Sequence, residues 1–317
     1  MTIQILLLIL GFAMLIKGAD WLVDGGAALA RKYRIPELAI GLTIIAFGTS
    51  MPEMVVNVFA AYNGHADIVY GNILGSNIFN LLAILGIVGL ISPLIVQAST
   101  VWKEIPLSLV AVVMLYILSN SIFTQNELLT RWDGIILLVM FAGFLYYVFR
   151  QLKKENIASV EKHKERTTFK IILFLVLGLI LLVLGGRLVV SNSVKIAEFF
   201  GISQTIIGLT IVAAGTSLPE LATSVVAALK KNNDIAVGNI IGSNIFNIFF
   251  VLGLSALIKP IEFNFKFNFE MYLLSLGTIL VFIAMFLGKK RQLDRWEAGI
   301  LFLMYVGYTI LLINQQI

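Results

Sequence analysis

The chain has 317 residues, 59% of them hydrophobic and 13% charged, with a net charge of +5 and no cysteine. Soluble domains average about 45–50% apolar and about 25% charged residues, so this is an integral membrane protein and not a globular enzyme with a large core. Without cysteine there are no disulfides, thiolate metal sites or cysteine nucleophiles, and His65 and His163 alone cannot build a His-rich metal cluster.

A helix needs about 20 apolar residues to cross a bilayer. Ten segments qualify, near residues 3–29, 37–62, 67–91, 104–122, 132–150, 169–197, 204–229, 234–258, 269–287 and 297–314. The first lacks a charged start and a small-residue cleavage site, so it reads as a span and not as a removed signal peptide. Lys17, Asp20 and Asp24 lie toward its inner end, where local pairing or reach to the interface accounts for them. Residues 151–168 are the one long polar stretch, with five Lys or Arg among three Glu. They read as a hinge joining a first unit, 1–150, to a second, 169–317. Threading ten spans puts seventeen Lys and Arg on the linker's side and only Arg131, Arg187, Lys195, Lys259 and Lys266 on the other. That asymmetry predicts a cytoplasmic linker and both termini outside the cell membrane. It also explains the net charge without nucleic acid. Trp21, Trp102, Trp132 and Trp296 read as interface anchors.

The chain repeats itself. Ile40 to Glu53 reads IGLTIIAFGTSMPE and Ile207 to Glu220 reads IGLTIVAAGTSLPE, identical at eleven of fourteen positions. Gly71 to Asn80 reads GNILGSNIFN and Gly238 to Asn247 reads GNIIGSNIFN, identical at nine of ten. Both pairs are separated by 167 residues, so a five-span unit is used twice. Five is odd, so the second copy enters the membrane upside down. Inverted repeats of this kind are a transporter architecture, with the binding site on interrupted helices near the midplane.

Each copy of the first block places a glutamate inside an apolar span, at about +2.5 to +3.5 kcal/mol per charge near a helix centre. Pro52 and Pro219 cannot donate a backbone hydrogen bond. Gly48 and Gly215 weaken the helix just before them. The helices are expected to break there, freeing carbonyls near Ala46, Phe47, Ala213 and Ala214. Thr49, Ser50 and Glu53 then share a face, as their counterparts Thr216, Ser217 and Glu220 do. Carboxylate, hydroxyl and carbonyl oxygens are hard donors, of which calcium takes about 6–8. Ser50 to Glu53 and Ser217 to Glu220 also fit a capping box, and the two roles are compatible. In the second block, Ser76 with Asn80 and Ser243 with Asn247 are spaced four apart and offer neutral oxygens. Interhelical hydrogen bonding is the alternative for them, and the preferred role for Asn77 and Asn244. Gly71/Gly75 and Gly238/Gly242 read as close-packing pairs.

The paired GTSxPE blocks, each followed by GSNIFN, resemble the alpha repeats of the calcium/cation antiporter superfamily, most of all its prokaryotic sodium/calcium exchangers. The resemblance covers all ten expected spans. It implies an all-α membrane fold of ten helices in two inverted five-helix repeats, with sodium exchanged for calcium by alternating access. It makes Glu53 and Glu220 the central calcium ligands, with Thr49 and Thr216 adding oxygens. Ala46, Ser50, Ser76, Ala213, Ser217 and Ser243 match positions lining flanking sodium sites, and Asn80 and Asn247 match central amide or carboxylate positions. It also implies three sodium ions per calcium and a first and sixth span that slide across the rest. Some members carry Asp where this chain has Asn247, so the centre here has a formal charge of −2.

Calcium and sodium are transported ions on this reading; no cofactor, nucleotide or nucleic acid is expected, and no partner protein is indicated. A proton-coupled calcium or other divalent antiporter ranks second, because that branch usually carries an acid within its GN block. A cation channel is the alternative of a different class. A membrane-embedded hydrolase would need a nucleophile and base, and the expected spans hold no histidine. No Gly-rich loop with Lys precedes a soluble helix, so transport is expected to be secondary.

Overall fold

A computed structural model describes residues 2–120, 127–152, 167–201, 213–288 and 290–314. Among these residues the protein is all-helical apart from two short strand pairs. Helix α1 runs Thr2–Tyr33, and Ile35-Pro36 then ends it, because a proline disfavours helix at the preceding residue. The second expected span is two helices, α2 (Glu37–Thr49) and α3 (Met51–Asn63), bent by 49° at Ser50. Gly64, at φ 80°, stops α3. Then follow α4 (Ala66–Ile91), α5 (Thr100–Ser119), α6 (Arg131–Gln151) and α7 (Thr168–Phe199). Of the seventh expected span, residues 204–212 lie outside the described residues; the remainder is a short turn, Ala213–Gly215, and α8 (Leu218–Leu229). Helices α9 (Asn233–Ile258), α10 (Phe265–Ala284) and α11 (Arg295–Asn314) complete the fold. Among the described residues, eight helices are long and apolar enough to cross a membrane singly, and α2 with α3 makes a ninth span.

Burial sorts the helices into centre and rim. In α4 and α9, 83% of the apolar window is buried; in α1 it is 22% and in α11 17%. The rim carries exposed Ile, Leu, Phe and Val along its length, including Leu6, Ile9, Val139, Leu303 and Ile310. In water this would be an aggregation surface; in a bilayer it is the lipid face. Trp102, Trp132 and Trp296 are exposed, as interface anchors require.

Two features position the central site. First, α4 and α9 each widen into a π-helical stretch, Phe79–Ile84 and Phe246–Leu252, at corresponding residues. Such stretches re-aim side chains and favour functional sites; here each contains one of the paired asparagines, Asn80 or Asn247. Second, glycines bring backbones into contact. A Cβ on Gly238 would lie 2.9 Å from the Leu38 carbonyl, so α9 packs directly on α2. Among the described residues, Gly71 and Gly75 meet no close backbone: a Cβ on Gly71 would reach only the Phe267 ring, at 4.0 Å.

The halves also clasp one another. Strand β1 (Leu94–Ile95) pairs antiparallel with β4 (Gln292–Leu293), and β2 (Leu128–Leu129) with β3 (Ile261–Glu262). Each pair takes one strand from residues before the linker and one from after it.

Candidate ion-binding site

Pro52 has no N–H to offer the Gly48 carbonyl, and the chain turns at Ser50 before α3 begins. Ser217 does the same before α8. Neither serine caps its own helix. Ser50 Oγ instead donates to Glu220 Oε1 at 2.9 Å, and Ser217 Oγ donates to Glu53 Oε1 at 2.8 Å. Each glutamate is therefore held by the serine of the other broken helix. Both carboxylates are fully buried.

The remaining residues repeat this reciprocity. Thr49 Oγ1 lies 3.0 Å from Asn239 Oδ1, and Thr216 Oγ1 lies 3.3 Å from Asn72 Oδ1. Asn80 donates to Asn244 Oδ1 at 3.1 Å, and Asn247 donates to Asn77 Oδ1 at 3.0 Å. Asn77 and Asn244 also donate to each other's backbone carbonyls, at 3.2 and 3.3 Å. Ser243 Oγ donates to Glu220 Oε1 at 3.3 Å, whereas Ser76 Oγ meets no hydrogen-bond partner among the described residues. The Ala46 carbonyl accepts from Thr49 Oγ1 and from the Ser50 N–H, so it is not freed outright by the break. Ala213 lies in the turn before α8.

Among the described residues, the buried oxygens left without a partner at the centre include, besides Ser76 Oγ, two carboxylate and two amide oxygens: Glu53 Oε2, Glu220 Oε2, Asn80 Oδ1 and Asn247 Oδ1. Each amide nitrogen is engaged, which fixes the amide oxygen as the free atom. Helix α8 packs on the turn bearing Asn80, and α3 on the turn bearing Asn247. Two carboxylates and two amide oxygens are thus concentrated among four elements, and the groups bonded to them are hydroxyls and amides. Buried carboxylates left unpaired are strongly unfavourable. A small hard cation answers both the charge and the unsatisfied lone pairs, and the donor set is all oxygen.

The sequence profile of the family described as sodium/calcium exchanger protein matches residues 3–150 and 170–314. The chain belongs to the sodium/calcium exchanger family. Its relatives include the sodium/calcium exchanger MaX1 of Methanosarcina acetivorans, 31% identical, covering 98% of this chain and 99% of that protein. The inner membrane protein YrbG of Escherichia coli K12 is 40% identical over 83% of this chain and 82% of its own length. Among solved structures, the sodium-calcium exchanger NCX_Mj soaked with sodium and strontium superposes with a TM-score of 0.82 at 31% identity, covering 96% of both chains. Members of the family are transporters, not enzymes.

Two sets of residues were not singled out as functional from the sequence. Asn72 and Asn239 accept from the site threonines, and Asn77 and Asn244 orient the paired asparagines. Their signal was present: all four recur at the 167-residue shift inside the GNIxGSNIFN block. At the linker end of α1, Lys17 pairs with Asp20 at 3.0 Å, as expected of local pairing. Lys230, distant in sequence, joins them.

Proposed function

We infer that the protein is a secondary antiporter that exchanges sodium for calcium by alternating access. The four unpartnered oxygens of Glu53, Glu220, Asn80 and Asn247 carry this reading, together with family membership. In it, Glu53 and Glu220 ligate calcium, with Thr49, Thr216, Asn80 and Asn247 completing the shell. Sodium takes flanking positions built from Ala46, Ser50 and Ser76 on one side and from Ala213, Ser217 and Ser243 on the other. The charge of the same two glutamates is answered by either ion in turn, which is the basis of exchange: one cargo leaves before the other neutralises the carboxylates.

The architecture we assign is ten spans in two inverted five-helix repeats, 1–150 and 169–317, joined by a linker at 151–168. The separate profile matches to 3–150 and 170–314 support it, as do the reciprocal bonds at a shift of 167. The basic residues near the linker favour a cytoplasmic linker, with both termini outside the cell membrane.

The test is calcium-45 uptake by proteoliposomes loaded with sodium, without ATP. An outward sodium gradient should drive uptake, and equalising sodium should stop it. Uptake that ignores sodium and follows a pH gradient would establish the proton-coupled alternative, and ungated equilibration would establish a channel.

A further inference from the structure

Helices α1 and α7 are antiparallel and share a glycine seam. A Cβ on Gly18 would sit 2.7 Å from the Gly178 carbonyl, and one on Gly185 2.8 Å from the Gly11 carbonyl. What ties this pair to the rest of the protein differs between its two ends. At the linker end, Lys230, one residue past α8, reaches across to α1. Its Nζ lies 2.5 Å from Asp20 Oδ1 and 2.7 Å from Asp24 Oδ1, and it donates to the Asp20 carbonyl at 3.2 Å. These side chains are 29–36% exposed, so the cluster is partly withdrawn from water.

Among the described residues, the far end has no such cluster. At the 167-residue shift, Asp20, Asp24 and Lys230 correspond to Arg187, Ser191 and Asn63. Opposite charges are lost, and Asn63 donates to the Phe59 carbonyl of its own helix. There α3 and α7 stand apart, with a cleft of about 820 Å³ lined by Val55, Val56, Arg187 and Ser191 and reaching Thr216 and Pro219 beside Glu220. The counterpart of that cleft is the space between α8 and α1. This is the boundary that Lys230 closes.

We propose that Lys230, bridging Asp20 and Asp24, is a one-sided latch: a positioning residue that holds α1 on α8 at the linker face and biases the protein toward the conformation whose ion site opens to the far face. A ligand or a contact shifts such an equilibrium only by acting differently on its two states. The latch does so because its ion pairs exist only while α1 and α8 are together. Breaking it enlarges the population open to the linker face, raises the apparent KM for calcium at the far face and lowers it at the linker face. Partly exposed pairs give shifts of about two- to fivefold.

The test has two arms. The first does not depend on which ion is carried. The chain has no cysteine, so spin labels can be placed uniquely at Arg34→Cys, just past the end of α1, and Leu229→Cys, at the end of α8. Full-length protein in nanodiscs should give one short distance, and Lys230→Met should add a longer one. Lys230→Arg should restore the short distance, Asp20→Asn with Asp24→Asn should mimic Lys230→Met, and Lys231→Met should change nothing. The second arm measures calcium KM from each face and rests on the exchange reading above. Opposed shifts are expected. An unchanged distance distribution in Lys230→Met overturns the latch. So does a loss of folded protein with KM unmoved or moved alike at both faces, which is what a purely structural role would give. Failure of the exchange reading would remove calcium transport from the wild type and leave the distance result standing.

Discussion

Glu53 and Glu220 each have one oxygen held by a serine and one without a hydrogen-bond partner, and on the proposed exchange reading the second is the ligand. Glu53→Gln and Glu220→Gln keep an acceptor for the serine and remove a charge. Each should weaken calcium binding about a hundredfold or more, since removing one member of a buried charge pairing costs about 3–5 kcal/mol. The protein should stay monodisperse on gel filtration. Near-normal exchange by both variants would leave only a structural role for the carboxylates. Ser50→Ala and Ser217→Ala each delete one hydrogen bond, worth about 1.5 kcal/mol when its acceptor is charged. Because the bonds are reciprocal, both should raise the calcium Kd by a similar factor of about ten. At this scale the sequence displayed the right residues but not their partners. Ser50 stands three residues before Glu53, a spacing that fits a local cap, and nothing local says that its hydroxyl crosses 170 positions to Glu220. Asn77 and Asn244 read as interhelical hydrogen-bonding residues, and they do bond to each other's backbone between helices.

The broken helices and the glycine seam are element-scale features, and they differ in how far a sequence reveals them. Proline after glycine in an apolar segment announces a break, and the 49° bend lies there. The π-helical stretches carry no such mark, because their residues are ordinary apolar helix formers around one asparagine. The seam of α1 with α7 was hidden too, since glycines seven apart in each helix acquire meaning only once the helices are set antiparallel. Gly18→Leu drives a side chain into the Gly178 carbonyl, which as backbone cannot step aside. It should lower stability by about 1–3 kcal/mol, read as a reduced melting midpoint in detergent. Gly143→Ala, on the exposed face of α6 with open space around its would-be Cβ, should match or slightly exceed the wild type. Equal loss at both positions would remove the seam's special standing.

For the whole molecule, the long apolar segments made the all-helical membrane fold legible, and two long blocks at one fixed shift are the basis of the inverted-repeat arrangement proposed above. The seventh span is the exception, since much of it lies outside the described residues. The asymmetry between the halves was harder to read. Lys230 meets Asp20 from 210 positions away, and an exposed-looking lysine at a helix end gives no hint of that partner. Charge movement is the functional property at this scale. When both are ionised, Glu53 and Glu220 supply two negative charges, which one calcium or two sodium ions neutralise, and a third sodium leaves the loaded site at +1. One elementary charge crossing 100 mV is worth about 2.3 kcal/mol, or roughly a fiftyfold change in the attainable calcium gradient. Sodium-driven calcium flux should therefore change between 0 and −100 mV in potassium–valinomycin-clamped vesicles, once potassium transport itself is excluded. A reversal point that ignores voltage would mean two sodium ions per calcium. Asn247→Asp would then add a third charge and is expected to restore voltage dependence.

The central claim is that one glutamate from each broken helix contributes to a single calcium site. Equilibrium binding of calcium-45 to the purified, sodium-free protein tests it most directly, with wild type, Glu53→Gln and Glu220→Gln compared at the same protein concentration. One saturable site per chain is predicted for the wild type, displaced by sodium, and no measurable site for either variant. Two independent sites in the wild type, with one surviving intact in each variant, would contradict it.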